Sequence, residues 1–178
     1  TSVHHACKYL NETIPYEKAG AMLLITVDGE DEASVERAYE AVGEQCLSAG
    51  AMEVYVADNK TTSERIWRVR KNIAEAFGAG CSHQANEDLV VPPAAIPQLV
   101  AGMEALAAKY GVPIPAYGHA GDGNLHTRIA KPDSMDLAPW KQLLPEILQE
   151  LYALTAGLGG KISGLEVAYT QFISGGQQ

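Results

Sequence analysis

The sequence predicts one domain in which β-strands alternate with α-helices, and three observations carry that expectation. Short apolar or alternating runs recur between stretches whose apolar residues fall at three- and four-residue spacing. Capping residues and glycines punctuate the boundaries between them. The 178 residues, 47% hydrophobic and 20% charged, suffice for one core of ordinary size, and no glycine-rich linker divides them.

The first twenty residues carry little pattern beyond a short helical piece and its connection at 9–16. Residues 21–27 (AMLLITV) form a continuous apolar run closed by Asp28-Gly29, the mark of a buried strand and its turn. Asp31 is placed to cap a helix running to about Ser48. Val35, Ala38, Tyr39, Val42 and Cys46 would form its apolar face, and Gly50 would end it. Residues 52–57 (MEVYVA) alternate and predict a second strand. Thr61, Thr62, Ser63 and Glu64 offer caps for a helix through about Phe77, with Gly78 and Gly80 closing it.

Strand 87–91 (EDLVV) stops at Pro92-Pro93, and a helix follows over about 94–110 with Leu99, Met103, Leu106 and Tyr110 inward. Residues 114–130 predict a strand pair, or one strand broken by a glycine-rich stretch. A long helix is expected over 137–158, kinked or split at Pro145. The resulting order is β-α-β-α-β-α-β-α. It suits either a parallel doubly wound sheet or an α+β domain whose antiparallel sheet is covered by helices, built from ferredoxin-like units. No GxGxxG follows a strand, so a dinucleotide-binding Rossmann unit has no support.

Charge and cysteine content narrow the function classes. Thirteen Lys and Arg against 22 Asp and Glu give a net charge of −9, the wrong sign for a nucleic-acid or anionic-membrane surface. Cys7, Cys46 and Cys81 are three in number, far apart and without a CxxC, which fits a reducing, cytoplasmic setting better than a disulfide framework. No run reaches the ~18–20 apolar residues of a bilayer span, and no signal-peptide pattern opens the chain.

The stretch Tyr117-Gly118-His119-Ala120-Gly121-Asp122-Gly123-Asn124-Leu125-His126 holds the chemistry. Its glycines admit positive φ and close approach by backbone or ligand. His119 and His126 are not at helical metal spacing, but in a strand–turn–strand their rings can converge on one point. Neutral imidazoles suit Zn, Mn or Fe(II), commonly with a carboxylate, for which Asp122 is nearest in sequence. A tight hairpin with two solvated histidines accounts equally well for the spacing. Arg65, Arg68 and Lys71 are expected on a solvated helix face, whereas Arg70 shares the stripe of Trp67 and is suited to bidentate capture of a small carboxylate.

Residues 118–126 (GHAGDGNLH) resemble the GHxGDGNLH signature of the C-terminal, or substrate-capping, domain of FAD-linked oxidases. That family includes glycolate oxidase subunits, D-lactate dehydrogenases and D-2-hydroxyglutarate dehydrogenases. Further stretches resemble its pattern in order: 23–29 (LLITVDG), 66–70 (IWRVR), 87–92 (EDLVVP) and 159–164 (GGKISG). The resemblance implies the α+β alternative, an antiparallel sheet covered by helices, with residues 1–178 as the substrate domain and the FAD-binding domain absent from this chain. It implies oxidation of a small D-2-hydroxy acid, of glycolate or lactate type, to the 2-oxo acid with FAD as oxidant. By the same resemblance His119 and His126 would be metal ligands, Arg70 and Asn124 would bind substrate, and the cofactors would be FAD and a divalent metal. The partners would be the hydroxy acid, the FAD-binding domain and electron-acceptor subunits, with no nucleic acid. The setting would be cytoplasmic or at the periphery of a membrane-associated complex.

The chain departs from the family at Gly164, where Leu165-Glu166 follow in place of a Glu-His-Gly-Ile-Gly segment. That segment normally supplies the acidic ligand and a catalytic histidine, so the catalytic residues stay unassigned, and Glu166, which lies beyond the lost segment, is no substitute. Asn86 stands where hydroxyglutarate-type members tend to carry a lysine, which argues against a second substrate carboxylate. Two rival readings are a metal-dependent hydrolase using His119, Asp122 and His126, and a non-catalytic α+β ligand-binding module.

Overall fold

The structure is a computed structural model that describes residues 2–14 and 19–162. Its class is α+β, with an antiparallel four-stranded sheet. The chain divides into two compact units, Cys7–Asn72 and Thr1–Ala6 with Ile73–Gln178. Helix α1 (Ser2–Leu10) runs across the division.

In the unit Cys7–Asn72, helix α2 spans Glu32–Ser48 and helix α3 Lys60–Lys71. Asp31 caps α2 as its sequence suggests: its carboxylate accepts the Ser34 N–H at 2.7 Å, and Ser34 Oγ accepts the Asp31 N–H in return. The cap of α3 lies earlier than expected, at Asn59, whose side chain accepts from Thr62 N–H at 2.9 Å. Glu12 draws in two arginines of α3, Arg65 at 3.1 Å and Arg68 at 3.5 Å.

The predicted strands at 21–27 and 52–57 do not form, and Leu23 and Met52 are 65% and 67% exposed. An apolar run has the capacity to be a strand, but it becomes one only when a neighbour takes its N–H and C=O groups. Helix α2 likewise buries none of its residues, so Cys46 is not the core thiol its position suggests. The helix expected to continue to Phe77 ends at Lys71. Asn72 adopts φ −99° and ψ 10°, and its side-chain amide donates to the Arg68 carbonyl at 2.8 Å, a local bond that competes with helix continuation.

In the other unit, helix α4 (Ile73–Gly80) leads to strand β1 (Gln84–Val90). A 3₁₀ turn at Pro93–Ala95 enters helix α5 (Ile96–Tyr110), followed by strands β2 (Ala116–His119) and β3 (Asn124–Ala130), helix α6 (Leu137–Gly157) and strand β4 (Lys161–Ile162). From β1 onward the order is β-α-β-β-α-β and the sheet order is β2-β3-β1-β4, every neighbouring pair antiparallel. This is the ferredoxin-like arrangement expected from the sequence. Helix α6 runs unbroken through Pro145.

Strand periodicity of two divides the sheet into unlike faces. Leu89, Leu125 and Ile129 point to the side covered by α5 and α6, packing with Leu99, Met103, Leu144, Ile147 and Leu151. Burying side chains of this kind contributes about 1.5–3 kcal/mol each. Two polar groups share the core side. Thr127 is 1% exposed beside Met103, and Glu87 is 4% exposed and accepts a 2.7 Å hydrogen bond from the Tyr152 hydroxyl of α6. Burial pushes the Glu87 carboxyl above its ordinary range, an effect the Tyr152 bond partly offsets.

A raised folded-state pKa means that Glu87 contributes stability fully below the ordinary carboxylate range, and that this contribution is lost as pH rises through the raised value. Tyr152→Phe removes the donor and should cost about 1–3 kcal/mol once the carboxylate is charged. Thermal unfolding of both proteins across pH should show the variant's deficit growing from acid to neutral pH.

Candidate active site

The glycine-rich stretch builds the site by bringing three strands close. Asn124 begins β3 just after the turn, and the Gly123 carbonyl accepts a hydrogen bond from Val91 N–H at 3.0 Å. Gly123 has φ 72°, and a Cβ there would collide with the Val91 carbonyl. A Cβ on Gly118 would strike the backbone of Asn124. Both positions need glycine for close approach, and Gly123 also needs it for its left-handed backbone. The turn is tied further by Asp122 N–H to His119 O at 3.2 Å.

The registers then fix which side chains meet. His126 lies opposite Asp88 on β1 and opposite Tyr117 on β2, while Asn124 lies opposite His119. All five project from the face turned away from α5 and α6, since their neighbours Leu125 and Leu89 face the core. His126 Nδ1 is 2.5 Å from Asp88 Oδ1. A carboxylate only accepts, so Nδ1 carries the proton and a neutral ring keeps Nε2 as its lone-pair nitrogen. The Tyr117 ring is 5.3 Å from that of His126, and the His119 ring is 6.4 Å from it and nearly perpendicular. His119 is exposed and His126 half-buried. Asn124 Oδ1 is buried and accepts no hydrogen bond from the described residues.

One side-chain repeat along β3, Arg128 lies opposite Asn86 on the same face. Its guanidinium donates to Asn86 Oδ1 at 2.7 Å and to the Tyr117 hydroxyl at 3.0 Å.

Of the residues singled out from sequence, His119, His126 and Asn124 come together here. Arg70 is half-buried on α3 and belongs to the other unit. Asp122 sits exposed in the turn. Among the described residues no group of three or more His, Cys, Asp or Glu side chains is placed to hold a metal ion, so the His119–Asp122–His126 cluster of the hydrolase reading does not assemble. The departure after Gly164 lies outside the described residues. Sequence reasoning missed Asp88 and Arg128 as members of this face. The signal was available in the alternation of Asn86 and Asp88 on one strand and of Asn124, His126 and Arg128 on another against apolar neighbours.

The Asp88–His126 bond makes a spectroscopic prediction. Long-range ¹⁵N correlation spectra should show the neutral His126 ring protonated at Nδ1, and Asp88→Ala should abolish that preference.

The family described as FAD linked oxidases, C-terminal domain, matches residues 2–164. A D-lactate dehydrogenase of Anaerostipes hadrus is 35% identical over 145 residues, covering 82% of this chain and 30% of the relative. The glycolate oxidase subunit GlcD of Bacillus subtilis is 32% identical over 150 residues, 82% of this chain and 30% of the relative. A D-2-hydroxyglutarate dehydrogenase of Xanthomonas citri is 25% identical over 152 residues, 84% of this chain and 32% of the relative. The chain thus spans about a third of the length of these curated relatives. With its GHAGDGNLH stretch forming the turn and strand on which the histidines meet, the chain belongs to the family of C-terminal domains of FAD-linked oxidases.

Proposed function

We propose that residues 1–178 are the substrate-binding domain of an FAD-dependent dehydrogenase that oxidises a small D-2-hydroxy acid, of glycolate or lactate type, to its 2-oxo acid. The observation that carries this reading is the convergence of His119, Asn124 and His126 on one polar sheet face in a chain of this family. The names of the relatives support the reaction class.

Asn124 offers a carbonyl oxygen that no described residue engages and that would suit a donor such as the substrate hydroxyl. The described residues would supply part of a site for a divalent metal such as Zn, Mn or Fe, namely two imidazoles, one of them oriented by a carboxylate at its far nitrogen. His126 Nε2 and His119 would hold it, and a metal so held supplies Lewis acidity to the substrate oxygens. Asp88 fixes the orientation of His126 and leaves Nε2 available for that contact. The flavin, which the FAD-binding part of the enzyme would hold, would supply the oxidant for the C2 hydride, and a base would take the hydroxyl proton. The group that takes the hydroxyl proton is not assigned to any described residue. Electron-acceptor subunits and a cytoplasmic setting complete the reading. No described helix is long and apolar enough to cross a membrane.

The test is the enzyme with its FAD-binding part joined to this chain, assayed with glycolate and D-lactate. Asp88→Ala should lower activity about 10–100-fold, as loss of a ligand-orienting carboxylate does, and His126→Ala at least as much with loss of bound metal. Full activity and full metal content in His126→Ala would overturn the ligand assignment, and oxidation of neither acid would overturn the reaction.

A further inference from the structure

Glu87 carries the only buried carboxyl among the described residues, on the core side of β1. The Tyr152 hydroxyl of α6 donates to it at 2.7 Å, and no cation of the described residues lies within ion-pair distance. The other groups around it are neutral or turned away. Thr127 stands opposite it on β3 and donates to Met103 of α5. Asp88 projects from the other face of β1, and Lys161 of β4 lies opposite Val90, two residues further along that face. Glu104 and Lys109 of α5 and Lys141 and Glu146 of α6 are exposed, and Glu150 is taken by Lys109 and Tyr110. Burial pushes the Glu87 carboxyl up, the Tyr152 bond pulls it back in part, and the charge of Asp88 adds to the rise. Burial and the Glu87 carboxylate hold the Tyr152 hydroxyl above its ordinary value, so Tyr152 remains a donor.

Position gives this pair a reach beyond the core. Tyr152 sits one turn before Thr155, whose carbonyl accepts Gly160 N–H at 2.9 Å. A Cβ on Gly160 would strike the Val90 carbonyl, the Val91 side chain and the Thr155 carbonyl, so the chain leaving α6 lies flush against the end of β1. Ile162 of β4 then pairs with Leu89. Val91 N–H in turn holds the Gly123 carbonyl at the glycine turn. Direct contacts therefore run from the Glu87–Tyr152 bond to the turn that follows His119. An ionised Glu87 gains hydration by leaving the core, and a neutral one gains far less.

We propose that Glu87 and Tyr152 form a proton-operated latch: a neutral Glu87 keeps the end of α6 closed on β1, and an ionised one lets the end of α6, β4 and the Val91–Gly123 contact open together. The latch is a property of the fold and does not depend on the proposed reaction. The closed state holds the Glu87 proton more tightly than the open state. Closure is therefore strongest below the ordinary carboxylate range and weakens as pH rises to the raised value. Opening increases about tenfold per pH unit between those two values and levels off above them.

The test is amide hydrogen exchange of the 178-residue chain across pH, corrected for the intrinsic rate and read by NMR at Gly160 and Val91. Ala130, whose N–H bonds to the Pro113 carbonyl at the opposite end of the β1–β3 ladder, is the reference. Gly160 and Val91 should open about tenfold more often per pH unit through the window, and Ala130 should not. Glu87→Gln, which cannot ionise, should remove the pH dependence at both positions. Tyr152→Phe guards against misfolding of that variant. It should leave opening at acid pH within about threefold of wild type and raise it roughly tenfold at neutral pH, where the carboxylate loses its donor. A pH step of equal size at Ala130 would mean global unfolding rather than a latch and would overturn the proposal. So would a step that persists in Glu87→Gln, an equal effect of Tyr152→Phe at acid and neutral pH, or no step in the wild type.

Discussion

The passage of the Gly123 backbone against the carbonyl of Val91 is the constraint on which the site depends. There the turn after β2 meets the end of β1, and only a residue without a Cβ lets the two chains close to a 3.0 Å hydrogen bond. Gly118 allows the matching approach of β2 to β3. With both in place, the β1–β3 and β2–β3 registers follow, and His126 is set between Asp88 and Tyr117. A slip of one residue would turn His126 and Arg128 into the core and Leu125 and Ile129 out of it.

Adjacent residues of β1 show how sharply the pleat divides labour. Glu87 is buried against α6, bonded to Tyr152, with its carboxyl pushed up by desolvation. Asp88, the next residue, points the other way and holds a histidine. One carboxyl is part of the packing and the other part of the polar face, and only the alternation of the strand separates them. The helices make that division asymmetric, because α5 and α6 carry the apolar partners for one face only.

Much of this was legible in the sequence because the signals were local. The Asp31 cap, the proline stop after β1, the extents of α5 and α6 and the hairpin around the glycines are written in neighbouring residues. The histidine pair was legible because a turn joins its two strands. Asp88 was not, since its partnership with His126 depends on pairing across 38 positions of chain. Arg128 was hidden for the same reason. Residues 21–27 and 52–57 mislead in the opposite sense, because their apolar content reports a capacity for pairing that no described strand fulfils. The break at Asn72 reflects one side-chain bond to the Arg68 carbonyl that helical periodicity does not register.

The central claim is that His119, His126 and Tyr117 share one face of the sheet, and nuclear Overhauser contacts between their ring protons in the 178-residue chain test it most directly. The structure predicts contacts from His126 to Tyr117 and to His119, with ring centroids 5.3 Å and 6.4 Å away. Absence of both, with His126 instead in contact with Leu99 or Ile147 of the helical layer, would contradict the register and with it the site.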